Sequence, residues 1–443
     1  MHMNITPGDI PTILERLKIS ALNEMQQASI EANQIHSNVI ILSDTGSGKT
    51  LAFLLPLLQQ MDEKGKTTQA MIIVPSRELA LQIEQVFKSM QTGLKVTCCY
   101  GGHKREIEEN SLVEAPALVI GTPGRIADHI RRGNIAVANI KALVLDEYDK
   151  SVELGFAEEL GFIIKSLPNL SKRILTSATE AGDIPDFIGL DAAHTINFLS
   201  GDHIADPSLA VQFVDSSKAD KGQTLFKLIC QLGNRSTIVF CNHREAVEET
   251  SRMLRDYGII NTWYHGALEQ REREVALAKF RNGSVNLLVT TDLASRGLDI
   301  PNLRYVIHYH LPASQDIFTH RNGRTARMDA SGTAILIVGV GEYIPAYITD
   351  AQPLSLAEDA TIPEKPVWTT LFVGAGKKDK VNKIDIVGFL SNKGKLKQDD
   401  IGLIEVKDFF SFVAVRKTKV PSTLELIKHE KIKNKKVKID VAK

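Results

Sequence analysis

The sequence predicts an α/β fold in which two tandem parallel-sheet domains precede a small α+β domain. Strand-like apolar runs alternate with helical segments twice along the 443 residues, and this alternation is typical of parallel sheets covered on both faces. Polar and glycine-rich stretches follow the strands, where ligands gather in such sheets. The last part of the chain is lysine-rich and has shorter elements. We therefore place domains at 1–200, 211–355 and 367–443.

The predicted elements follow from these apolar runs. Two short helices open the chain before residue 37, and a linker is predicted at 199–221, where Gly, Asp, Pro and short polar residues interrupt the pattern. The predicted strands of the first domain are 38–42, 70–74, 95–100, 117–120, 142–145 and 173–176. Those of the second domain are 237–240, 262–264, 286–290, 305–308 and 334–338, with helices at 243–256 and 270–280.

The charge is unevenly distributed although the formal net charge is zero. Residues 367–443 contain 18 Lys and Arg against 9 Asp and Glu, which leaves the rest of the chain at −9. A basic module on an acidic body is typical of a polyanion binder, and the alternative is a solvated lysine-rich face.

The cysteines and the apolar runs indicate a cytoplasmic protein that is not embedded in a membrane. The four cysteines have no CxxC pair or zinc-type spacing, which favours a reducing compartment and gives no sign of a structural metal. The longest apolar run, 51–58, is too short to cross a bilayer.

A glycine-rich stretch between a strand and a helix predicts a triphosphate site. Gly46 and Gly48 let successive backbone N–H groups turn towards phosphate oxygens, Lys49 neutralises their charge, and the Thr50 hydroxyl can hold Mg²⁺. The usual pattern begins with Gly where this chain has Ser43, so an ordinary strand-to-helix turn is the alternative. The cradle residues are Ser43, Asp44, Thr45, Gly46, Ser47, Gly48, Lys49 and Thr50.

Two consecutive acids close a predicted strand of the same sheet. In phosphoryl transfer, a first acid such as Asp146 holds the metal and a second such as Glu147 orients or deprotonates the attacking water. Alone, such a pair is more often a helix cap. Beside a phosphate cradle, the catalytic interpretation is favoured.

The second domain contains an arginine-rich stretch at 320–327. Arg324 and Arg327 have a spacing that fits one edge of a helix start, and arginines aimed at a transferring phosphate stabilise the charge of the transition state. A basic surface helix is the alternative for an isolated match.

The order of these motifs resembles the first RecA-like domain of the DEAD-box RNA helicases. The matching segments are Gln26, 43–50, 75–80, 101–102, 122–125, 146–149 and 177–179. The resemblance implies that Gln26 reads adenine, that Ser177 and Thr179 couple hydrolysis to domain closure, and that backbone-level RNA contacts come from Pro75, Arg77, Gly101, Gly102, Thr122 and Arg125.

The second domain is similar to the second RecA-like domain of that family at 240–242, 265–273, 290–300 and 320–327. The resemblance implies an RNA contact at Thr290, and an ATP contact around Gly297 with Asp299 on the ribose. It makes Arg324 and Arg327 the arginine fingers, with His320 coupled to Asp149 and the 177–179 segment. Neither domain would then hold a complete site, so hydrolysis should require closure on ATP and RNA.

The chain departs from the family pattern at two places. The aromatic expected well upstream of the family glutamine has no clear counterpart, since Asp9 and Ile10 occupy that region, and the second departure lies in the acidic motif. The family's namesake tetrad has Ala third, where this chain has Tyr148. This bulky ring motivates a second hypothesis, an RNA clamp or annealing module that turns ATP over poorly. A DNA-directed motor is a third hypothesis, and the motifs disfavour it.

The tail has the outline of an RRM. Its segments 374–380 and 412–417 resemble those of the RNA-binding tail of the bacterial DbpA subfamily, and this resemblance implies recognition of a hairpin of large-subunit ribosomal RNA. Phe372, Phe410 and Phe412 fall near the positions where an RRM stacks bases, and the alternative is that they fill a core. The predicted tail contacts to RNA are Lys377, Lys378, Lys380, Arg416 and Lys417.

These observations together predict an ATP-dependent, RNA-stimulated RNA helicase. ATP and Mg²⁺ are the predicted cofactors, and structured, ribosomal RNA is the predicted partner. We expect a monomer that separates short duplexes during ribosome assembly.

Overall fold

The computed structural model describes residues 9–44, 46–62, 65–179, 184–190, 192–199, 209–292, 303–323 and 332–443. Five predicted site residues, Thr45, Gly297, Asp299, Arg324 and Arg327, lie outside these ranges. Across the described ranges, no helix is both long and apolar enough to span a membrane. The chain divides near residue 205 into two compact units.

The first unit contains one parallel sheet, which we call lobe 1 together with its helices. The strand order is β3-β4-β2-β5-β6-β1-β7. The elements are α1 (Ile10–Leu17), α2 (Glu24–Ile35), β1 (Asn38–Ser43), α3 (Lys49–Gln59), β2 (Ala70–Ile73), α4 (Arg77–Ser89), β3 (Val96–Cys99), α5 (Arg105–Leu112), β4 (Leu118–Gly121), α6 (Pro123–Arg131), β5 (Ala142–Leu145), α7 (Tyr148–Glu153), α8 (Ala157–Lys165), β6 (Lys172–Ser177) and β7 (His194–Phe198). All six predicted strands are confirmed.

Two apolar layers enclose this sheet. Ile41 and Ile72 face a layer that includes α3 and α4, while Leu42 and Ile73 face a second layer with α6 and α8. Successive strand residues point to opposite faces, so strands buried on both sides are apolar throughout. β7 was not predicted, because only Ile196 of its five residues is buried and the apolar signal is weak.

The second unit begins with another parallel sheet, which with its helices is lobe 2. Its order is β10-β11-β9-β12-β13-β8-β14. The elements are β8 (Leu209–Asp215), α9 (Lys221–Leu232), β9 (Thr237–Cys241), α10 (Arg244–Asp256), β10 (Thr262–Tyr264), α11 (Gln270–Arg281), β11 (Leu287–Thr291), β12 (Tyr305–His308), α12 (Gln315–Asn322), β13 (Gly332–Val338) and β14 (Gln352–Pro353).

The predicted linker at 199–221 is wrong in its second half. β8 lies there and pairs with β13 over seven residues. Five of the seven β8 residues are apolar, but Gly, Asp and Pro precede this run and only Val214 is fully buried, so the sequence prediction did not separate the strand from the linker. The pairing of β8 with the distant β13 defines this strand, and the local sequence does not reveal that pairing.

The second unit ends with an antiparallel sheet, which with its helices we call the tail. The four-stranded order is β16-β17-β15-β20, and a separate hairpin joins β18 to β19. The elements are β15 (Trp368–Val373), α13 (Lys383–Asn392), β16 (Ile401–Val406), β17 (Ser411–Arg416), α14 (Val420–Ile427), β18 (Lys431–Ile432), β19 (Lys435–Lys436) and β20 (Ile439–Val441). This order confirms the RRM-like outline.

One face of the tail sheet packs against α11 of lobe 2. Phe412 is 1% exposed and lies in an apolar cluster with Val275 and Ala278. The Arg271 guanidinium lies 5.0 Å from the centre of the Phe372 ring. Base stacking on Phe412 is therefore the wrong prediction, because this ring fills the core between the tail and lobe 2.

A polar contact accompanies this packing. The Asn282 amide, just after α11, donates to the Thr370 hydroxyl of β15 at 2.9 Å, and both residues are buried. Arg281 and Glu405 form an ion pair at 3.6 Å. Lobe 2 and the tail thus share a contact made of apolar, hydrogen-bonded and charged groups.

Candidate functional site

The loop between β1 and α3 has the backbone that a phosphate cradle needs. Gly46 and Gly48 have φ angles of 91° and 93°, in the left-handed region that favours glycine. A Cβ on Gly48 would lie 2.5 Å from the Gln26 amide nitrogen. The turn therefore requires glycine at Gly48 for its conformation and for the close approach of Gln26.

Gln26 connects this loop to α2. Its amide nitrogen donates to the Gly48 carbonyl at 3.2 Å, while its oxygen accepts the Asn23 backbone N–H at 3.0 Å. The Asn23 amide in turn donates to the Ser47 carbonyl at 2.9 Å. Asn23 was not predicted as a site residue, although its place three residues before Gln26 matches a capping box.

Lys49 begins α3 and lies among carbonyls and carboxylates. Its ammonium donates to the Ser43 carbonyl and, at 3.0 Å, to the Asp44 carbonyl. Burial lowers the pKa of Lys49, and the charges of Asp146 and Glu147 oppose that effect. β6 pairs with both β1, which leads into the cradle, and β5, which leads into the two acids, so Lys49, the cradle and the acids lie at one edge of the lobe 1 sheet.

Asp146 and Glu147 follow β5 directly. Asp146 is 4% exposed, and burial raises the pKa of its carboxyl group. Glu147 has a φ of 48°, an uncommon angle for a residue with a side chain. A buried carboxylate oxygen is a donor that Mg²⁺ prefers, so the residues present fit this ion, with Asp146 and Thr50 as the candidate ligands.

Tyr148 points into the apolar layer beneath the sheet. The ring is 5% exposed and belongs to the cluster that contains Leu143 and Leu175. Asp149, the next residue, forms an ion pair with the buried Lys150 at 3.1 Å. The bulk of Tyr148 is thus accommodated in the core.

The coupling segment at the end of β6 is internally bonded. The Thr179 backbone N–H donates to the Ser177 hydroxyl at 3.2 Å, and Ser177 is fully buried. β6 pairs with both β5 and β1, so this segment leaves the sheet between the acids and the cradle.

The predicted RNA contacts of lobe 1 form a second group. The Arg77 guanidinium donates to the Gly101 carbonyl at 3.2 Å and lies 4.8 Å from the centre of the Tyr100 ring. Gly102 has a φ of 93° and is exposed, whereas Pro75 is buried and Thr122 caps α6 half-buried. Tyr100 was not predicted, and its position before the two glycines is the available signal.

Glu108 joins this group and was missed by the sequence prediction. Its carboxylate, 2% exposed, contacts the Arg125 guanidinium at 3.2 Å and the His129 ring at 2.7 Å. It also contacts His103 at 3.0 Å and accepts the Tyr100 N–H at 2.8 Å. Burial opposes ionisation, but the bonds from both histidines, Tyr100 and Arg125 prevail and lower its pKa to about 2.

The edge of lobe 2 is organised around Arg321, which was not predicted. Its guanidinium is 1% exposed and bonds to the Asp292 carboxylate at 2.9 Å, the Asn242 oxygen at 3.0 Å and the His310 carbonyl at 2.6 Å. These partners follow β11, β9 and β12. Arg321 thus fastens α12, whose His320 is also buried, to three strand ends.

Thr290 does not fit the predicted RNA contact. Its side chain is fully buried and its hydroxyl donates to the Tyr264 carbonyl at 2.8 Å. Thr291 is half-buried. Because consecutive strand residues face opposite sides, Thr291 is the better candidate of the pair.

The predicted tail contacts differ in their environment. Arg416 is engaged within the tail, where it bonds to the Asp400 carboxylate at 3.1 Å. Lys377, Lys378, Lys380 and Lys417 are exposed. The Lys433 ammonium donates to the Lys380 carbonyl at 2.7 Å, so the β18–β19 hairpin adds positive charge beside the 377–380 loop.

Three family models match the chain in this order. DEAD/DEAH box helicase matches residues 23–187, helicase conserved C-terminal domain matches 220–329, and DbpA RNA binding domain matches 370–441. These matches define a helicase with two motor domains and an RNA-binding module.

Full-length relatives narrow the class. The chain is 32% identical over 451 residues to ATP-dependent RNA helicase DbpA of Escherichia coli (strain K12), covering 100% of this chain and 99% of the relative. It is 30% identical over 477 residues to DbpA of Bacillus subtilis (strain 168), covering 98% and 97%. The chain belongs to the DEAD-box ATP-dependent RNA helicases and is similar to their DbpA members along its whole length.

A solved structure supports the architecture. S. cerevisiae Dbp5 bound to RNA and ADP BeF3 aligns with a TM-score of 0.68 and 26% identity, over 78% of this chain and 93% of that one. The predicted fold class, two RecA-like parallel-sheet domains followed by a small α+β domain, is confirmed.

Proposed function

We propose that this helicase separates short RNA duplexes locally and is directed by its tail to structured RNA of the large ribosomal subunit. The observation that carries the proposal is the meeting of the P-loop lysine with Asp146 and Glu147 at one sheet edge, in a chain that ends in a DbpA-type module. DEAD-box helicases bind ATP, and we propose the following roles for the residues of this chain.

Lobe 1 would hold the nucleotide. Backbone N–H groups of 44–50 would surround the phosphates, and Lys49 would leave its carbonyl partners to neutralise them. Mg²⁺, held by Thr50 and Asp146, would offset phosphate charge. Glu147 would orient the attacking water and accept its proton, because it follows Asp146 at the same strand end.

Lobe 2 would complete the reaction. We assign Arg324 and Arg327 to the charge that develops on the transferring phosphate. Arg321 supports this assignment, because it anchors the end of α12 directly before those arginines. Hydrolysis would then require the two lobes to close on ATP and RNA together.

RNA would be gripped through its backbone. Arg77, Arg125 and the exposed glycines 101 and 102 present guanidinium and N–H donors that suit phosphates and carry no base information. A strand bent by such a grip cannot keep A-form pairing, so local strand separation follows without long translocation.

The tail would select the RNA target. The exposed lysines of the 377–380 loop lie beside the β18–β19 hairpin and form a basic surface with it. The alignments with relatives named DbpA cover 100% and 98% of this chain, so they extend into this segment. We assign this surface, and not the Phe412 face, to contact with ribosomal RNA, and we propose a monomeric cytoplasmic protein.

A strand-separation assay tests this function. A short labelled RNA duplex is joined to a large-subunit ribosomal RNA hairpin or, as the control, to a scrambled hairpin of equal length. We expect ATP-dependent separation that is faster with the ribosomal hairpin and slows steeply with added salt. Equal rates on both substrates would overturn the targeting, and separation without ATP would overturn the coupling to hydrolysis.

A further inference from the structure

β6 places an unassigned hydroxyl beside the two acids of lobe 1. β5 and β6 are parallel neighbours in which Leu145 is paired with Leu175. The next residue on each strand is Asp146 and Thr176. The register therefore brings this carboxylate and this hydroxyl side by side, where neither is exposed by more than 4%.

The Thr176 hydroxyl uses both of its hydrogen-bonding capacities there. It donates to the Asp146 carboxylate Oδ1, and it accepts the Glu147 backbone N–H at 3.2 Å. One hydroxyl thus holds two consecutive residues, one by its side chain and the other by its backbone.

Each bond restricts the conformation of one of the two acids. Asp146 is a buried carboxylate, and a donor to Oδ1 restricts the rotation of this group. Glu147 has a left-handed backbone, which surrounding contacts must maintain. Valine, which has the same shape, would make neither bond.

We propose that Thr176 is a positioning residue for nucleotide-bound Mg²⁺ and for the attacking water, acting through Asp146 and Glu147. The inference rests on the proposed roles of those two acids. Thr176 would act without contacting the nucleotide. It fixes which Asp146 carboxylate oxygen is available to Mg²⁺, and it fixes the backbone position from which the Glu147 side chain extends.

The test compares Thr176→Val, Thr176→Ser and Thr237→Val in the full chain. Thr237 is a matched control, because it is a buried strand residue of lobe 2 whose hydroxyl donates to the Arg235 carbonyl at 2.9 Å. The equilibrium affinity for a fluorescent, non-hydrolysable ATP analogue is measured with single-stranded RNA, in Mg²⁺ and in EDTA. RNA-stimulated kcat and KM are measured in parallel.

We expect Thr176→Val to reduce the Mg²⁺-dependent gain in analogue affinity about tenfold and kcat by a similar factor, with the affinity in EDTA unchanged. Thr176→Ser should retain both the Mg²⁺-dependent gain in affinity and kcat, because serine keeps the hydroxyl. Thr237→Val should change neither quantity. A Thr176→Val protein that keeps the full Mg²⁺ gain, or that loses affinity equally in Mg²⁺ and EDTA, would overturn the inference. No Mg²⁺ gain in the unaltered protein would instead overturn the proposed ATP site.

Discussion

Lobe 1 and lobe 2 have the same strand order but opposite charges at the centre of their carboxyl edges. In lobe 1, the buried carboxylate of Asp146 accepts a hydrogen bond from the hydroxyl of Thr176 on the neighbouring strand. In lobe 2, the buried group is the Arg321 guanidinium, held by acceptors from three strand ends. The same strand order thus places a buried carboxylate in lobe 1, where we propose that metal and water bind, and a buried guanidinium in lobe 2, directly before the segment whose arginines we propose as catalytic.

The comparison predicts its largest effect at Glu147. Glu147→Gln should lower RNA-stimulated ATP turnover at least ~100-fold, because the amide cannot take a proton from water, while nucleotide affinity stays within about threefold. Steady-state ATPase and analogue binding measure the two effects. Glu158→Gln, an exposed acid on α8, is the control. If the Glu147→Gln protein kept its ATP turnover, the proposed role of Glu147 in catalysis would be wrong.

Arg321 tests the anchor of lobe 2. Arg321→Lys keeps the charge but cannot reach Asp292, Asn242 and the His310 carbonyl together, so the free energy of unfolding should fall by ~2 to 4 kcal/mol. Urea denaturation measures it, with the exposed Arg244→Lys as control. Nucleotide affinity should persist where the protein is folded. An unchanged midpoint would contradict the anchoring role.

Glu108 should make the stability of lobe 1 depend on pH in the acidic range. Its pKa is lowered from 4.5 to about 2, so its contribution is fully present above about pH 4.5 and is lost as pH falls towards 2. The difference in unfolding free energy between the unaltered protein and Glu108→Gln should be ~2 kcal/mol at pH 7 and should shrink below pH 4.5.

The exposed Glu106, on the same helix, provides the comparison for this pH series. Glu106→Gln should give a small difference that does not narrow in acid. Urea unfolding at several pH values measures both variants. A Glu108→Gln difference that stays constant from pH 7 to pH 3 would show that its charge is not what stabilises the cluster.

The smallest expected effect concerns Tyr148. Its hydroxyl is buried without a hydrogen-bond partner among the described residues, and an unsatisfied buried hydroxyl costs stability. Tyr148→Phe should therefore raise the free energy of unfolding by up to ~1 kcal/mol and leave ATP turnover unchanged. Thermal unfolding and ATPase assays measure this. A large loss of turnover would place the hydroxyl in the reaction.

The sequence predicted what local patterns encode. The strands of both parallel sheets are apolar runs, and the cradle and the Asp146–Glu147 pair are contiguous motifs. β7 was missed because only one of its five residues is buried, and β8, although apolar, was missed because it follows a stretch of Gly, Asp and Pro that indicates a linker. Glu108, Arg321 and Thr176 were missed because each contacts residues on other elements of the fold, and no short motif marks such a contact.

The tail shows a different limit of sequence reasoning. The alternation around Phe412 is the same whether rings stack bases or fill a core. Only the position of α11, more than 130 residues earlier in the chain, decides between the two. An RRM-like pattern therefore predicted the fold of the tail but not the use of its sheet face.

The central claim is that the acids of lobe 1 and the arginines of lobe 2 form one ATPase only when RNA is bound. The most direct measurement is the steady-state ATP hydrolysis rate of the full chain, with and without saturating single-stranded RNA. The account predicts negligible turnover without RNA and at least about tenfold stimulation with it. An equal rate in both conditions would contradict it.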